Sequence, residues 1–147
     1  MNNFLEIAPS VSMEELDASI ERLNIKLPQS FKEHYVTFNG GYPFRRFFMW
    51  PDESRTRIDH FFLILHKKFT SLEEAYEDLF VSENILPKGF LPFAVDDGAN
   101  FFCLCLLPED YNSVFYAAMY NYNPENSSDY LTKISPSFED FIDELVT

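Results

Sequence analysis

Glycine is scarce in this sequence. Only Gly40, Gly41, Gly89 and Gly98 occur, too few and too scattered for a dinucleotide fingerprint or a phosphate-cradling loop. No His-Glu-x-x-His, Cys-x-x-Cys or Gly-x-Ser-x-Gly is present, which removes the commonest signatures of zinc, thiol-redox and serine-hydrolase chemistry. No apolar run approaches the ~20 residues of a membrane-spanning helix. The first residues, Met1 to Glu6, have neither the basic n-region nor the apolar stretch of a secretory signal. Cysteine is limited to Cys103 and Cys105, which on a strand point the same way, a poor geometry for a disulfide. These absences lead to the expectation of a soluble, cytoplasmic, non-enzymatic protein in a reducing compartment, with no cofactor, no bound metal and no membrane contact.

Basic side chains are nearly missing from half of the chain. Residues 1–74 carry 11 acidic and 9 basic side chains, whereas residues 75–147 carry 13 acidic ones against Lys88 and Lys133 alone. The net charge is −13. Nucleic acid requires a basic footprint for counterion release, so it is excluded as a partner. A cationic protein partner suits the second half, although acidity that merely maintains solubility explains the same numbers. What is abundant is aromatic: 17 Phe in 147 residues supply a large core and exclude a disordered chain. The length suits one domain, and residues 1–147 are read as such.

Local signals order the elements. Ser12-Met13-Glu14-Glu15 is a capping box, followed by Met13, Leu16, Ile20 and Leu23 on one helical face, with Asn24 as a left-handed stop. A second helix starts near Pro28 as its first helical position, carries Phe31, Tyr35 and Phe38, and ends at Asn39-Gly40-Gly41. The aromatic and basic run Tyr42 to Trp50 imitates a base-stacking platform. Its acidic neighbours Asp52, Glu53 and Asp59 make a strand with one buried aromatic face the better reading. His60 to Leu65 reads as a buried strand. A second capping box, Ser71 to Glu74, opens a helix that buries Leu72, Ala75, Tyr76, Leu79 and Phe80. Strands follow at Phe90–Val95, Phe101–Leu107 and Val114–Tyr120. The first two are joined by a hairpin turn at Asp96 to Asn100, in which Asp97-Gly98 supplies positive φ. After a polar stretch from Asn121 to Lys133, Ser135-Pro136-Ser137 begins a last helix buried through Phe138, Phe141, Ile142 and Leu145. The expected fold is α+β, a mostly antiparallel sheet of about five strands flanked by about four helices, ordered α-α-β-β-α-β-β-β-α.

Few residues offer chemistry. His34 lies in a helix, and His60 and His66 bracket a strand, roughly 20 Å apart along it. All three read as edge or cap histidines with ordinary hydrogen bonds. Both cysteines read as core residues. Asp96 and Asp97 read first as carboxylates that bond their own turn. Partner recognition is the second reading, and acid–base work a remote third.

The run Leu23-Asn24-Ile25-Lys26-Leu27-Pro28-Gln29-Ser30-Phe31-Lys32-Glu33-His34-Tyr35, then Phe38-Asn39-Gly40-Gly41, then Leu91-Pro92-Phe93-Ala94-Val95-Asp96-Asp97-Gly98-Ala99-Asn100-Phe101-Phe102-Cys103-Leu104 and the closing helix resemble the SUKH superfamily. Asn24 replaces its usual Gly, and Ala99 the second Gly of its hairpin. The resemblance implies binding rather than catalysis. Bacterial members look like immunity proteins that occupy and block a toxin domain, often a nuclease, whose substrate-binding surface is cationic. Fungal members look like intracellular adaptors, and that alternative stays open. The candidate partner-binding residues are Asp96, Asp97, Asn100, Glu109, Asp110, Tyr111, Tyr120 and Tyr122, with Tyr116 as a further aromatic anchor. The two acidic pairs, in loops flanking one strand, are expected at opposite ends of the sheet.

Overall fold

The computed structural model describes residues 2–66 and 70–147, without the side chains of Phe80 and Val81. Three serines start helices by accepting a backbone N–H: Ser12 for α1 (Met13–Ile20), Ser71 for α3 (Leu72–Tyr76) and Ser137 for α4 (Phe138–Glu144). At Ser12 the box is reciprocal, because Glu15 accepts from the Ser12 N–H at 3.0 Å. A 3-10 turn extends α1 to Asn24, which takes φ 53°. Helix α2 (Gln29–Thr37) begins one residue later than the sequence suggests, because Pro28 is its N-cap rather than its first helical residue. It also ends before the glycines. Phe38 is already extended, and Gly40 and Gly41 (φ 75° and 74°) turn the chain into β2 (Tyr42–Pro43), which pairs with β1 (Phe4–Leu5). Helix α3 continues as a π-helical turn to Ser82. The expected burial of Phe80 lies outside the described side chains.

Among the described residues the main sheet has six strands in chain order: β3 (Phe47–Met49), β4 (Arg55–Phe61), β5 (Phe90–Asp96), β6 (Phe101–Cys105), β7 (Val114–Ala117) and β8 (Leu131–Ser135). Every pairing is antiparallel. The fold is α+β, with one more main-sheet strand than expected. Strand β8 lies inside the segment read as polar loop and last-helix approach, and β4 precedes the His60–Leu65 strand expected from apolarity. After Phe61 the chain leaves the sheet and turns at Leu65 (φ 75°). Strands β6 and β7 are shorter than expected, since Pro108–Asp110 and Met119–Asn121 are 3-10 turns.

Register shifts between Ile58 and His60, Pro92 and Ala94, and Val114 and Phe115 curl this sheet. The middle shift also accommodates Pro92, which has no N–H to give to an interior strand. Helix α4 fills the concavity. Phe141 stands 5.3 Å from Phe102 and 6.2 Å from Phe48 between ring centroids, and Phe138 stands 4.8 Å from Phe31 of α2. The convex face of β6 is covered too, by Leu86, Phe90 and Tyr130 around Cys103 and Cys105. Both thiols are buried and free. Burial raises the pKa of each, so both stay protonated.

Two buried asparagines act as pieces of backbone. Asn39 donates to Pro9 and Ile64 carbonyls at 3.0 Å and accepts from the Ile64 N–H at 2.7 Å. Asn2 pairs with both backbone groups of Arg45 at 2.9 Å. The sequence reading of Asn39 as a helix stop missed this role.

Candidate partner-binding site

The hairpin between β5 and β6 divides its two aspartates sharply. Asp96 is buried, at 7% exposure, and its Oδ1 accepts from the N–H groups of Gly98 (2.8 Å) and Asn100 (2.9 Å). Its Oδ2 accepts from Tyr116 Oη at 2.5 Å and from Asn100 Nδ2 at 3.2 Å. Asn100, also buried, accepts from the Met119 N–H through Oδ1 at 2.8 Å. Burial and the neighbouring carboxylate push the Tyr116 hydroxyl well above its ordinary pKa. Asp96, Asn100 and Tyr116 therefore fasten the hairpin to the end of β7, and their polar groups face inward. The left-handed residue of the turn is Ala99 (φ 63°), not Gly98 as expected. Ala99 N–H donates to the Asp96 carbonyl at 3.3 Å, so the turn is a three-residue loop ending in αL. Asp97 is exposed and pairs with Arg57 at 2.8 Å.

The other candidates divide between the two ends of the sheet. Glu109, Asp110 and Tyr111 occupy the end away from the hairpin, consistent with the expected separation. Asp110 pairs with Lys133 at 2.9 Å, and Tyr111 donates to the Lys26 carbonyl at 2.8 Å while its ring stays 39% exposed. Asn112 donates to Glu139, which with Asp140 is exposed at the start of α4. Tyr120 and Tyr122 lie at the hairpin end, past β7. Tyr120 is 77% exposed, and Tyr122 packs on Tyr130 at 5.1 Å.

Curling of the sheet creates a groove at the hairpin end that the sequence reading did not assemble. It has a volume of about 610 Å³ and runs between the β3–β4 turn and the segment linking β7 to β8. Trp50, Tyr116, Tyr120 and Tyr130 form aromatic walls, with Asp52 and Asp129 beside them. Trp50 is fixed by its Nε1–H bond to Thr56 (2.8 Å) and by an edge contact with Tyr116 at 5.2 Å. Bonds from the Ser54 hydroxyl and N–H hold the Asp52 carboxyl below its ordinary pKa, hence ionised. Among the described residues, no Lys, Arg or His lines this groove.

A second cleft, of about 830 Å³, has mixed charge: Arg46, Arg57, Asp59, His60 and His66 face it beside Tyr42. Arg46 stacks on the Tyr42 ring at 4.0 Å, and Asp59 contacts His60 at 2.6 Å. His60 and His66 thus share one cleft instead of standing at two ends of a strand, because the chain reverses at Leu65. His34 departs further from expectation. It bonds nothing through Nε2 among the described residues and sits in an aromatic cage. Among the described residues, no group of three or more His, Cys, Asp or Glu side chains is placed to hold a metal ion, and no helix is long and apolar enough to cross a membrane.

The model of the SMI1/KNR4 family (SUKH-1) matches residues 10–144. The chain belongs to the SMI1/KNR4 family. Searches of curated proteins and of solved structures gave no match. The matched stretch holds all four helices, the six-stranded sheet and the groove, so the SMI1/KNR4 domain carries every candidate residue. Asn24 and Ala99 each take the left-handed conformation, at φ 53° and 63°. Of the groove residues, Tyr116 and Tyr120 were legible as aromatics in an acidic region. The sequence places Trp50 and Asp52 in a strand and a turn, and Asp129 and Tyr130 in a polar loop.

Proposed function

We propose that this SMI1/KNR4 protein is a non-catalytic, cytoplasmic immunity protein that binds one cationic toxin domain and occludes its working surface. The observation carrying this reading is that both ends of the sheet present exposed carboxylates in a half of the chain with only two cations. A nuclease or similar toxin must expose positive charge to its substrate, and an anionic surface attracts it from a distance and then covers it. Exposed tyrosines beside the carboxylates supply the contact area that holds such complexes together. Family membership supports a binding role, with immunity and regulation as its two forms.

The test is calorimetric titration of the purified protein with the toxin domain encoded beside its gene, with the toxin's activity assayed in parallel. The expected result is one-to-one binding and complete inhibition at equivalence. Absence of binding, together with co-purification of host proteins, would replace this reading with the adaptor one.

A further inference from the structure

We infer that the aromatic groove at the hairpin end is a receptor for an arginine side chain of the protein partner. The inference rests on the cationic-partner reading above and gives it an address. Three observations converge. The floor is rigid: Trp50 is pinned by Thr56 and meets Tyr116 edge-on at 5.2 Å and 83°, while Tyr116 is tethered through its hydroxyl to Asp96. A π-face presented by a fixed ring attracts a guanidinium within ~6 Å of its centroid, and little ordering is lost on binding. The rim is anionic: Asp52 and Asp129 are the charged residues of the lining, and no cation among the described residues competes for them. The third wall is open to a partner, since Tyr120 is 77% exposed.

Arginine fits this site better than lysine. Its planar guanidinium stacks on aromatic faces and is more weakly hydrated, so entering a half-dry groove costs it less. The mixed-charge cleft on the other side of the hairpin offers the contrast. There Tyr42 already carries Arg46 on its ring at 4.0 Å. The chain thus fills one aromatic face with its own arginine and leaves the Trp50 groove for a partner's.

Trp50 is the sole tryptophan of the chain, so its fluorescence reports on this groove alone. Titration with a hexa-arginine peptide at low salt should give a saturable change in Trp50 emission, whereas the uncharged hexa-citrulline peptide should give none. Tyr120→Ala leaves the net charge untouched and should weaken hexa-arginine binding about fivefold. The double variant Glu14→Gln/Glu21→Gln removes two exposed charges from α1 and its 3-10 extension, which do not line the groove, and should bind within about twofold of wild type. An emission change equal for both peptides, or a Tyr120→Ala affinity equal to wild type in a protein whose circular dichroism is native, would overturn the inference. The two readings fail separately. If Tyr120→Ala and Asp52→Asn neutralise the toxin domain as well as wild type does, the groove is excluded and the immunity reading stands. If hexa-arginine binds as described while no neighbouring toxin domain binds, the arginine receptor stands and the immunity reading falls.

Discussion

His34 is enclosed by the rings of Phe4, Tyr35, Phe38, Phe61 and Phe138, at centroid distances between 4.6 and 6.0 Å. Burial pulls its imidazole pKa down to about 4. In the unfolded chain the same group protonates near pH ~6.5. Below that pH the unfolded state binds the extra proton, so stability falls with pH and the loss levels off only near pH 4. One pK unit is worth about 1.4 kcal/mol, so this residue should cost about 2 kcal/mol of stability between pH 7 and pH 5. Urea unfolding of wild type and His34→Leu at the two pH values measures it. The carboxylates titrate in both proteins and cancel in the difference. A wild-type decline no steeper than the variant's would contradict the caged, neutral imidazole. Ala99 offers a second residue-level measurement. It holds φ 63° with a Cβ, a conformation that costs an L-residue roughly 1–2 kcal/mol. Ala99→Gly should raise stability by about 0.5–1 kcal/mol after the added freedom of the unfolded chain is counted. A lower thermal midpoint for this variant would mean that the methyl group packs usefully.

Elements announced themselves where short-range chemistry specifies them. A serine cap with a glutamate three residues on is a local bargain between side chain and backbone, which is why the starts of α1 and α3 are legible to the residue. Strands β4 and β8 were not. Strand β4 buries Ile58 and Phe61 but shows Arg55 and Asp59 to solvent, and β8 buries Ser135 while exposing Thr132 and Lys133. Their exposed polar positions carry the composition of a loop, and pairing within the sheet overrides that local preference. The small sheet gives a test at this scale. A Cβ on Gly41 would stand 2.2 Å from the Leu5 carbonyl oxygen, and on Gly40 3.0 Å from Leu63 Cβ. Gly41→Val should therefore separate β1 from β2 and destabilise the protein by at least ~1 kcal/mol. Toxin-domain affinity in the fraction that folds should be unchanged, because neither strand borders the groove. A large affinity loss in fully folded Gly41→Val would move the binding site to this edge.

At the scale of the whole molecule, charge was readable in the sequence but its geography was not. The groove draws on residues from Trp50 to Thr132, and the curl of the sheet brings its distant strands' ends to one place. Asp96 belongs to the fold rather than the surface, so only Asp97 of that pair can steer a partner. Association with the toxin domain proposed as partner, followed by stopped flow, should slow at least tenfold from low to high salt. Asp97→Lys should lower the association rate constant about threefold with little change in the dissociation rate constant. Salt-independent association would remove electrostatic steering from the mechanism.

The strict chain order of β3 to β8 has a kinetic consequence. Each strand pairs with its sequence neighbour, so most of the sheet zips through short loops that are cheap to close. The exceptions span the chain: Trp50 on Tyr116, and Val146 exchanging two 2.9 Å backbone bonds with Phe47. These contacts wait until the meander exists. In refolding, Trp50 fluorescence should reach its native value after far-ultraviolet ellipticity does. The groove would then be the last part of the molecule to be assembled, completed only once the sheet that carries its walls has closed up.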